Sequence, residues 1–456
     1  MVGPNYQPPE NTVTDVWSTP ADTVNCAPIT DWWTLFNDPI LTKYIQAAAK
    51  HNGSVLIAEA NILQARALRQ ISAADLFPQL GAYDSVSKYH YSKNGLILPS
   101  IGGAQPQKVQ DLFNFIFDAT WELDLFGKTR RGVQAAEATI ERKWEERNNI
   151  LLSVIAEMAR TYIEVRGYQK QQELTESAIA LLEQQLEIVR SRFKHGYASQ
   201  ISYESTLADL ATAKANLPTI FAEIYRGVFT LSMLTGELPE TLLSELLEPR
   251  PLPKVPETIA VGLRSDLLRR RPDIRGAERQ LASATAEIGV AIASFFPSIT
   301  LGAIGGLQSL HLHNLFDPSS NIWEIGGNSY LPLFQGGKVS GNLQVQKAAA
   351  VAAYQTYQQT VLQALEESES TLASFIQEKE TAHQYLVAAE KYRAIAELSY
   401  CRYEKGVSNR YDALTAKKLF ISAEQTSIQS QTTVLIKLIA LYKALGGGWD
   451  AVDSQE

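Results

Sequence analysis

Two histidines one residue apart, His311 and His313, are the side chains in this 456-residue sequence best spaced to share a metal ion. A zinc site needs three or four ligands in tetrahedral array, and no carboxylate cluster or thiol accompanies this pair in what reads as a surface loop. The two cysteines are no better placed, since Cys26 lies in a Pro-rich segment and Cys401 far along a helical stretch. Their spacing matches neither a metal site nor a redox motif, and a disulfide between them is not expected. Nucleophile elbows, phosphate loops and zinc-type spacings are missing as well. The expectation is a protein that is not an enzyme and uses neither metal nor cofactor.

Net charge points the same way. At −8 the chain is a poor partner for nucleic acid, which wants clustered Lys and Arg. The one basic run, Arg269-Arg270-Arg271, precedes Pro272-Asp273 and reads as a capped helix start laced with salt bridges. No stretch of about 18 apolar residues exists to form a transmembrane helix. No signal peptide is visible, and Met1 followed by Val2-Gly3-Pro4-Asn5-Tyr6 reads as the start of a mature chain.

The sequence does say nearly the same thing twice. Ala58-Glu59 through Phe77-Pro78-Gln79-Leu80 matches Ala277-Glu278 through Phe296-Pro297-Ser298-Ile299 without a gap. Downstream, Leu125-Phe126-Gly127-Lys128 answers Leu333-Phe334-Gln335-Gly336-Gly337-Lys338, and Arg192 to Gly196 answers Arg402 to Gly406. A repeat this long is a duplicated structural unit.

Each unit opens with helices and then changes period to two. From Asp111, the residues Phe113, Phe115, Phe117, Ala119, Trp121, Leu123 and Leu125 alternate with polar neighbours, which makes a strand with one apolar face. The segment Leu80 to Tyr91 alternates less cleanly, and Ser92 to Gln107, with several Gly and Pro, is expected to be the loop of a long hairpin. The second unit repeats this from Pro297 to Ser309 and from Asn321 to Phe334, with Trp323, Ile325, Leu331 and Leu333 on one face.

Long helical runs follow. Between Lys128 and Lys194, and between Lys338 and Lys405, Pro is absent and apolar residues recur every seven positions: Trp144, Leu151, Met158 and Val165 in one run, Val361, Phe375, Ala382 and Ala389 in the other. Sustained heptads mean packed helices, and at 1.5 Å per residue each run spans roughly 100 Å. Gly196 and Gly406 suit left-handed turns at the helix ends, with Ser199 and Asn409 as N-caps of the returning helices.

Four strands with one apolar and one polar face pose a physical problem, because a soluble fold would need a second layer over the apolar side. Lipid solves it: a β-barrel with Phe113, Phe115, Phe117, Trp121, Trp323 and Ile325 facing the membrane and the polar face toward water. An open sheet edge cannot stand in hydrocarbon. Four strands fall short of the usual minimum of about eight, so copies must share a barrel, and two, three or four all satisfy the count. The alternative is a soluble oligomeric coiled-coil scaffold carrying a β-sandwich.

Several motifs together resemble the outer-membrane efflux proteins, the TolC-like channel family, and within it the lipoprotein branch typified by OprM. These are Val2-Gly3-Pro4-Asn5-Tyr6, Asp31-Trp32-Trp33 with Phe36 and Asp38-Pro39, Arg270-Arg271-Pro272-Asp273-Ile274, Phe296-Pro297-Ser298, and Leu441 to Trp449. The resemblance implies an α+β membrane protein. Its trimer shares a 12-stranded transmembrane β-barrel, four strands per chain, and a long periplasmic α-helical barrel with an equatorial domain. On that plan residues 1–37 form an N-terminal strap, 38–76 and 257–295 the leading helices, and 77–126 and 296–335 the barrel hairpins. Residues 127–237 and 336–440 form helical hairpins, and 238–256 and 441–456 equatorial segments.

The function implied is a passive exit duct for drugs or other small molecules in the outer membrane of a Gram-negative bacterium. A periplasmic adaptor would join it to an inner-membrane efflux pump. Members of this branch usually carry a lipidated Cys just before a segment like Val2 to Tyr6, so a lipid anchor is expected in the natural mature form.

In this family the second tip usually presents an aliphatic residue and then an Asp that narrows the pore. Aligned through Gly406-Val407, those places are Tyr411 and Thr415, so the usual Asp is replaced and Asp412 stands nearly one turn earlier. Tyr411 is expected to plug the pore, with Asp412, Arg410 and Thr415 around it; the alternative for Asp412 is that it only caps the helix start. Gly196, Ser199, Gly406, Val407, Ser408 and Asn409 are expected to dock the adaptor, unless they merely make the turns.

Overall fold

The computed structural model describes residues 1–10, 13–18, 30–90, 109–256 and 261–450. Cys26 and the expected hairpin loop Ser92 to Gln107 lie outside the described residues. Helices α1 (Pro39–His51) and α2 (Gly53–Ala74) lead into strands β1 (Gln79–His90) and β2 (Val109–Leu123), then α3 (Lys128–Lys194) and α4 (Gln200–Leu234). Two single turns, α5 (Leu243–Leu246) and α6 (Leu267–Arg270), precede a second series: α7 (Pro272–Ala293), β3 (Ser298–Ser309), β4 (Asn321–Tyr330), α8 (Lys338–Glu404) and α9 (Arg410–Ala444).

The repeat is sharper in structure than in sequence. Helix α2 and strand β1 map onto α7 and β3 residue for residue, Gly53 on Pro272 and Gln79 on Ser298. Past the hairpin the offset changes, with Lys128 on Lys338 and Gln200 on Arg410, so the second unit is shorter at its hairpin connection. This corrects one sequence match. Gly127 and Gly337 share a left-handed conformation, φ 85° and 88°. Leu125 and Phe126 therefore hold the places of Gln335 and Gly336, not those of Leu333 and Phe334. Strand β4 also ends sooner than its alternation suggests, at Tyr330. Pro332 has no N–H to offer a ladder, so Leu331 and Leu333 lie beyond the strand.

The chain divides into two compact units. The first comprises Met1–Pro9, Ile62–Arg142 and Ala277–Tyr357 and holds an antiparallel sheet in the order β1-β2-β3-β4. At the end of β2, Asp124 accepts hydrogen bonds from the Arg130 side chain and from the amides of Thr129 and Arg130. It thereby satisfies amides at the start of α3, with Asp124 Oδ2 accepting from Arg130 N at 2.9 Å.

The second unit comprises Glu10–Asn61, Lys143–Gly276 and Gln358–Glu456 and carries the main apolar core. Leu151, Met158 and Val165 of α3 are buried in it, as are Phe375 and Leu372 of α8. Of the expected heptad in this run, Val361, Ala382 and Ala389 are buried as well. Asp38 caps α1, its Oδ1 accepting from Ile40 N at 2.9 Å and Leu41 N at 3.2 Å with Pro39 at the first helical position.

The other carboxylate oxygen of Asp38 accepts from the Tyr162 hydroxyl at 2.6 Å. Burial first, and then that hydrogen bond, push Tyr162 up to about 12. The fold holds the neutral phenol, so this stabilisation is complete below about pH 10 and fades as pH rises through the folded value. In detergent, the thermal midpoint is expected to exceed that of Tyr162→Phe by a few degrees at pH 8. The gap should close by pH 12, and a gap independent of pH would contradict the assignment.

Candidate functional site

Register sorts the sheet into two faces, since residues directly opposite share a side. Phe117 pairs with Ala82 and with Gly305, which pairs with Trp323. Ala119 pairs with Leu80 and with Ala303, which pairs with Ile325. Phe113, Phe115 and Trp121 alternate onto the same side, opposite Val86, Leu307 and Leu301. All six expected membrane-facing residues therefore share one face. It is uncovered in the single chain, with Trp323 at 74% and Ile325 at 76% exposure.

The irregular alternation of β1 is resolved by the same pairing. Tyr83 and Tyr89 fall on the polar face, whereas Asp84 and Lys88 join the apolar one toward its hairpin end, where Lys88 Nζ lies 3.6 Å from Asp111 Oδ1. Tyr91 lies outside the described residues.

The opposite face is a hydrogen-bonded polar surface. Asn114 Nδ2 donates to Ser85 Oγ at 3.1 Å, and Gln308 Nε2 donates to Asn114 Oδ1 at 2.8 Å. Its charges are Asp118, Glu122 and Glu324, and no Lys or Arg stands on it within the described strands. Asp118 and Glu324 flank Ile304 at one level of the sheet. His311 and His313 stack at 5.5 Å in the connection after β3. Among the described residues no group of three or more His, Cys, Asp or Glu is placed to hold a metal.

Both helical tips close by one motif. Gly196, at φ 76°, donates its N–H to Phe193 O at 3.0 Å while Tyr197 N reaches Arg192 O at 2.8 Å. Gly406, at φ 70°, donates to Tyr403 O at 2.9 Å while Val407 N reaches Arg402 O at 2.9 Å. These paired bonds end a helix with a left-handed residue, a conformation that costs glycine least. Ser199 Oγ then accepts from Ser202 N at 3.2 Å, and Asn409 Oδ1 from Asp412 N at 3.0 Å. Val407 is left 66% exposed at the second tip, with Ser408 beside it in the turn.

Asp412 is exposed but is bound within this turn. Its Oδ2 accepts from Asn409 Nδ2 at 2.8 Å, completing a reciprocal cap at the start of α9. Three side chains near it meet the end of α3 instead. Arg410 donates to Gln184 Oε1 at 3.0 Å, the Arg192 guanidinium lies 5.6 Å from the centre of the Tyr411 ring, and Gln185 Nε2 donates to Thr415 Oγ1 at 3.1 Å. Gln184 and Gln185 were not singled out in the sequence, where they look like any polar residues near a helix end, and Arg192 was noted only as part of the repeat.

The second unit also gathers the scattered motifs. Trp32 Nε1 donates to Gly447 O at 3.1 Å and its ring stacks 5.4 Å from that of Tyr442. Trp449 Nε1 donates to Arg270 O at 3.2 Å. Arg271 bridges Asp273 Oδ2 at 2.7 Å and Glu367 Oε2 at 2.8 Å, and donates to Ala444 O at 2.8 Å. Of the expected capped helix start with salt bridges, Arg271 supplies the salt bridges just before α7. Arg166 went unnoticed: fully buried, it donates to Gln169 Oε1 at 2.8 Å and to Glu248 O at 2.9 Å, fastening the segment after α5 to α3.

Comparison with known proteins gives a consistent result. The family model described as outer membrane efflux protein matches residues 44–237 and 263–447. SepC of Pseudomonas putida strain F1, a probable efflux pump outer membrane protein, is 30% identical over 430 residues, 93% of this chain and 87% of that protein. Among solved structures, the outer-membrane channel OprN is similar with a TM-score of 0.88 and 29% identity, covering 98% of this chain and 99% of that one. The outer membrane channel MtrE of Neisseria gonorrhoeae in its open state gives 0.85 at 28% identity, with 98% of each chain covered.

Proposed function

Because this chain belongs to the outer membrane efflux protein family, we infer that it is the outer-membrane exit duct of a tripartite efflux system in a Gram-negative cell, passing small molecules outward without chemistry of its own. The observation that carries this reading is the sheet: four strands, two open edges, an uncovered apolar face and an acidic polar face. In hydrocarbon both edges must be paired, which calls for further copies of the chain. Three copies give a twelve-stranded barrel, the number the family resemblance implies. A soluble scaffold would leave Trp323 and Ile325 against water with no gain.

A periplasmic adaptor and an inner-membrane pump are the partners this role requires. The two turns, at Gly196 and Ser199 and at Gly406, Val407, Ser408 and Asn409, are the proposed adaptor contacts; an exposed Val407 beside capped helix ends supports that use. Tyr411 is the proposed plug, with Arg410 and Thr415 fixing the helix that carries it and Asp412 setting its start. Tyr411→Ala is expected to raise single-channel conductance at least twofold while the trimer stays intact. Unchanged conductance would sink the plug.

The role itself is tested in cells. A strain lacking the gene should become at least fourfold more susceptible to some members of a panel of drugs, solvents and dyes, and the intact gene should restore it. Equal susceptibility across the panel, with the protein expressed and its pump present, would contradict an export role.

A further inference from the structure

The internal repeat extends to the cavities of the first unit. Two cavities of about 480 Å³ each lie at the foot of the sheet, where the hairpins meet the helices, and that volume suits a drug-sized molecule. Phe77, Gln79, Thr120 and Lys128 line one of them. Phe296, Ser298, Tyr330 and Lys338, which hold the same places in the second repeat, line the other. Both open on the polar face of the sheet, because Gln79 pairs with Thr120 and Ser298 with Tyr330 on that side.

Their charges differ. In the first cavity Glu122 lies 3.8 Å from Lys128, and Asp75 is a second acid in the lining. The equivalent positions in the second repeat are Pro332 and Ser294, so both acids are gone while the lysine stays. Glu122 and Asp124 also reach the second cavity from the end of β2, but both are engaged. Glu122 faces Lys128, and Asp124 accepts from Arg130 Nε at 3.0 Å and from amides at the start of α3. Lys338 is exposed and makes no ion pair among the described residues.

The apolar lining differs as well. Where the first cavity has Thr120 and Thr129, the second has Tyr330 and Val339, and Phe296 stacks on Phe126 with ring centres 4.6 Å apart. An aromatic wall beside one uncompensated cation suits a ligand with matching halves. We propose that the second cavity binds an amphipathic organic anion, its apolar ring against Phe296 and Tyr330 and its carboxylate or sulfonate at Lys338, and that the first cavity does not. The site is then a resting place for anionic cargo at the helical end of the polar face, away from Asp118 and Glu324. That transit role rests on the reading of the polar face as the wall of a duct.

Titration calorimetry tests the site on the assembled protein in zwitterionic nanodiscs, with empty nanodiscs as the blank and naphthalenesulfonate as the probe. Saturable binding of one probe per chain is expected. Lys338→Gln should weaken it at least tenfold. Pro332→Glu, which offers Lys338 the carboxylate that Glu122 offers Lys128, should do the same and serves if the first variant assembles poorly. The naphthyltrimethylammonium cation should bind at least tenfold more weakly than the sulfonate. Sodium sulfate at the same concentration should not displace the probe. Unchanged affinity in the variants, or equal affinity for the two probes, would overturn the assignment, and displacement by sulfate would overturn the amphipathic class of ligand. Conductance of the same protein in planar bilayers is read separately, so that binding without conductance would keep the site and remove its place in a duct.

Discussion

Trp32→Ala is expected to cost about 3–5 kcal/mol, the usual range for deleting a large buried side chain from a packed core. Trp32 is 0% exposed, and its ring and Nε1 both hold the far end of the chain, through Tyr442 and Gly447. Removing it leaves a cavity, an unpaired carbonyl and a lost ring contact at one point. Trp32→Phe keeps most of the volume and the stacking, so it should lose only about 1 kcal/mol for the hydrogen bond. Thermal unfolding in detergent reads both. The order wild type, Phe, Ala is the expected result, and near-equal midpoints for all three would show that the core tolerates the loss.

Phe117→Arg should be the most damaging change in the sheet. Its side chain lies on the apolar face between Ala82 and Gly305, and a cation facing lipid in a barrel costs about 2–4 kcal/mol near the midplane. The protein in the outer-membrane fraction is expected to fall at least fivefold. Thr120→Arg, on the polar face of the same strand, is the control and should assemble normally. Equal tolerance of the two would mean that the aromatic face does not meet lipid.

The long helices were legible because Pro-free runs with heptads stop at glycines that must turn left-handed, and both tips close as that chemistry requires. Strand β2 was legible because five apolar residues recur at every second position from Phe113 to Trp121. Strand β1 was not: Tyr suits either face and Asp84 and Lys88 confuse the alternation, so only register against β2 assigns its sides. The end of β4 was overextended because Leu331 and Leu333 continue the apolar period past a proline that cannot continue the ladder.

The tip residues show a different limit. A carboxylate near a helix start fits a cap and a pore equally well on paper, and Asp412 is held by Asn409 as a cap. That leaves Tyr411, over Arg192, as the aromatic residue of the first turn of α9 best placed for the proposed plug. The convergence of Trp32, Tyr442, Gly447, Trp449 and Arg270 was named by family motifs, but its reason lies in contacts across hundreds of residues that no local pattern encodes.

Conductance in planar bilayers tests the central claim most directly. Purified wild-type protein, extracted in detergent and added to one side under a KCl gradient, should insert and open in discrete steps. Its reversal potential should be displaced toward that of potassium, because the polar face carries Asp118, Glu122 and Glu324 and its described strands bring no Lys or Arg to it, only Glu122 being paired, with Lys128 at the start of α3. Protein that reaches the bilayer and never conducts, or that stays dispersed in buffer without detergent, would contradict the account.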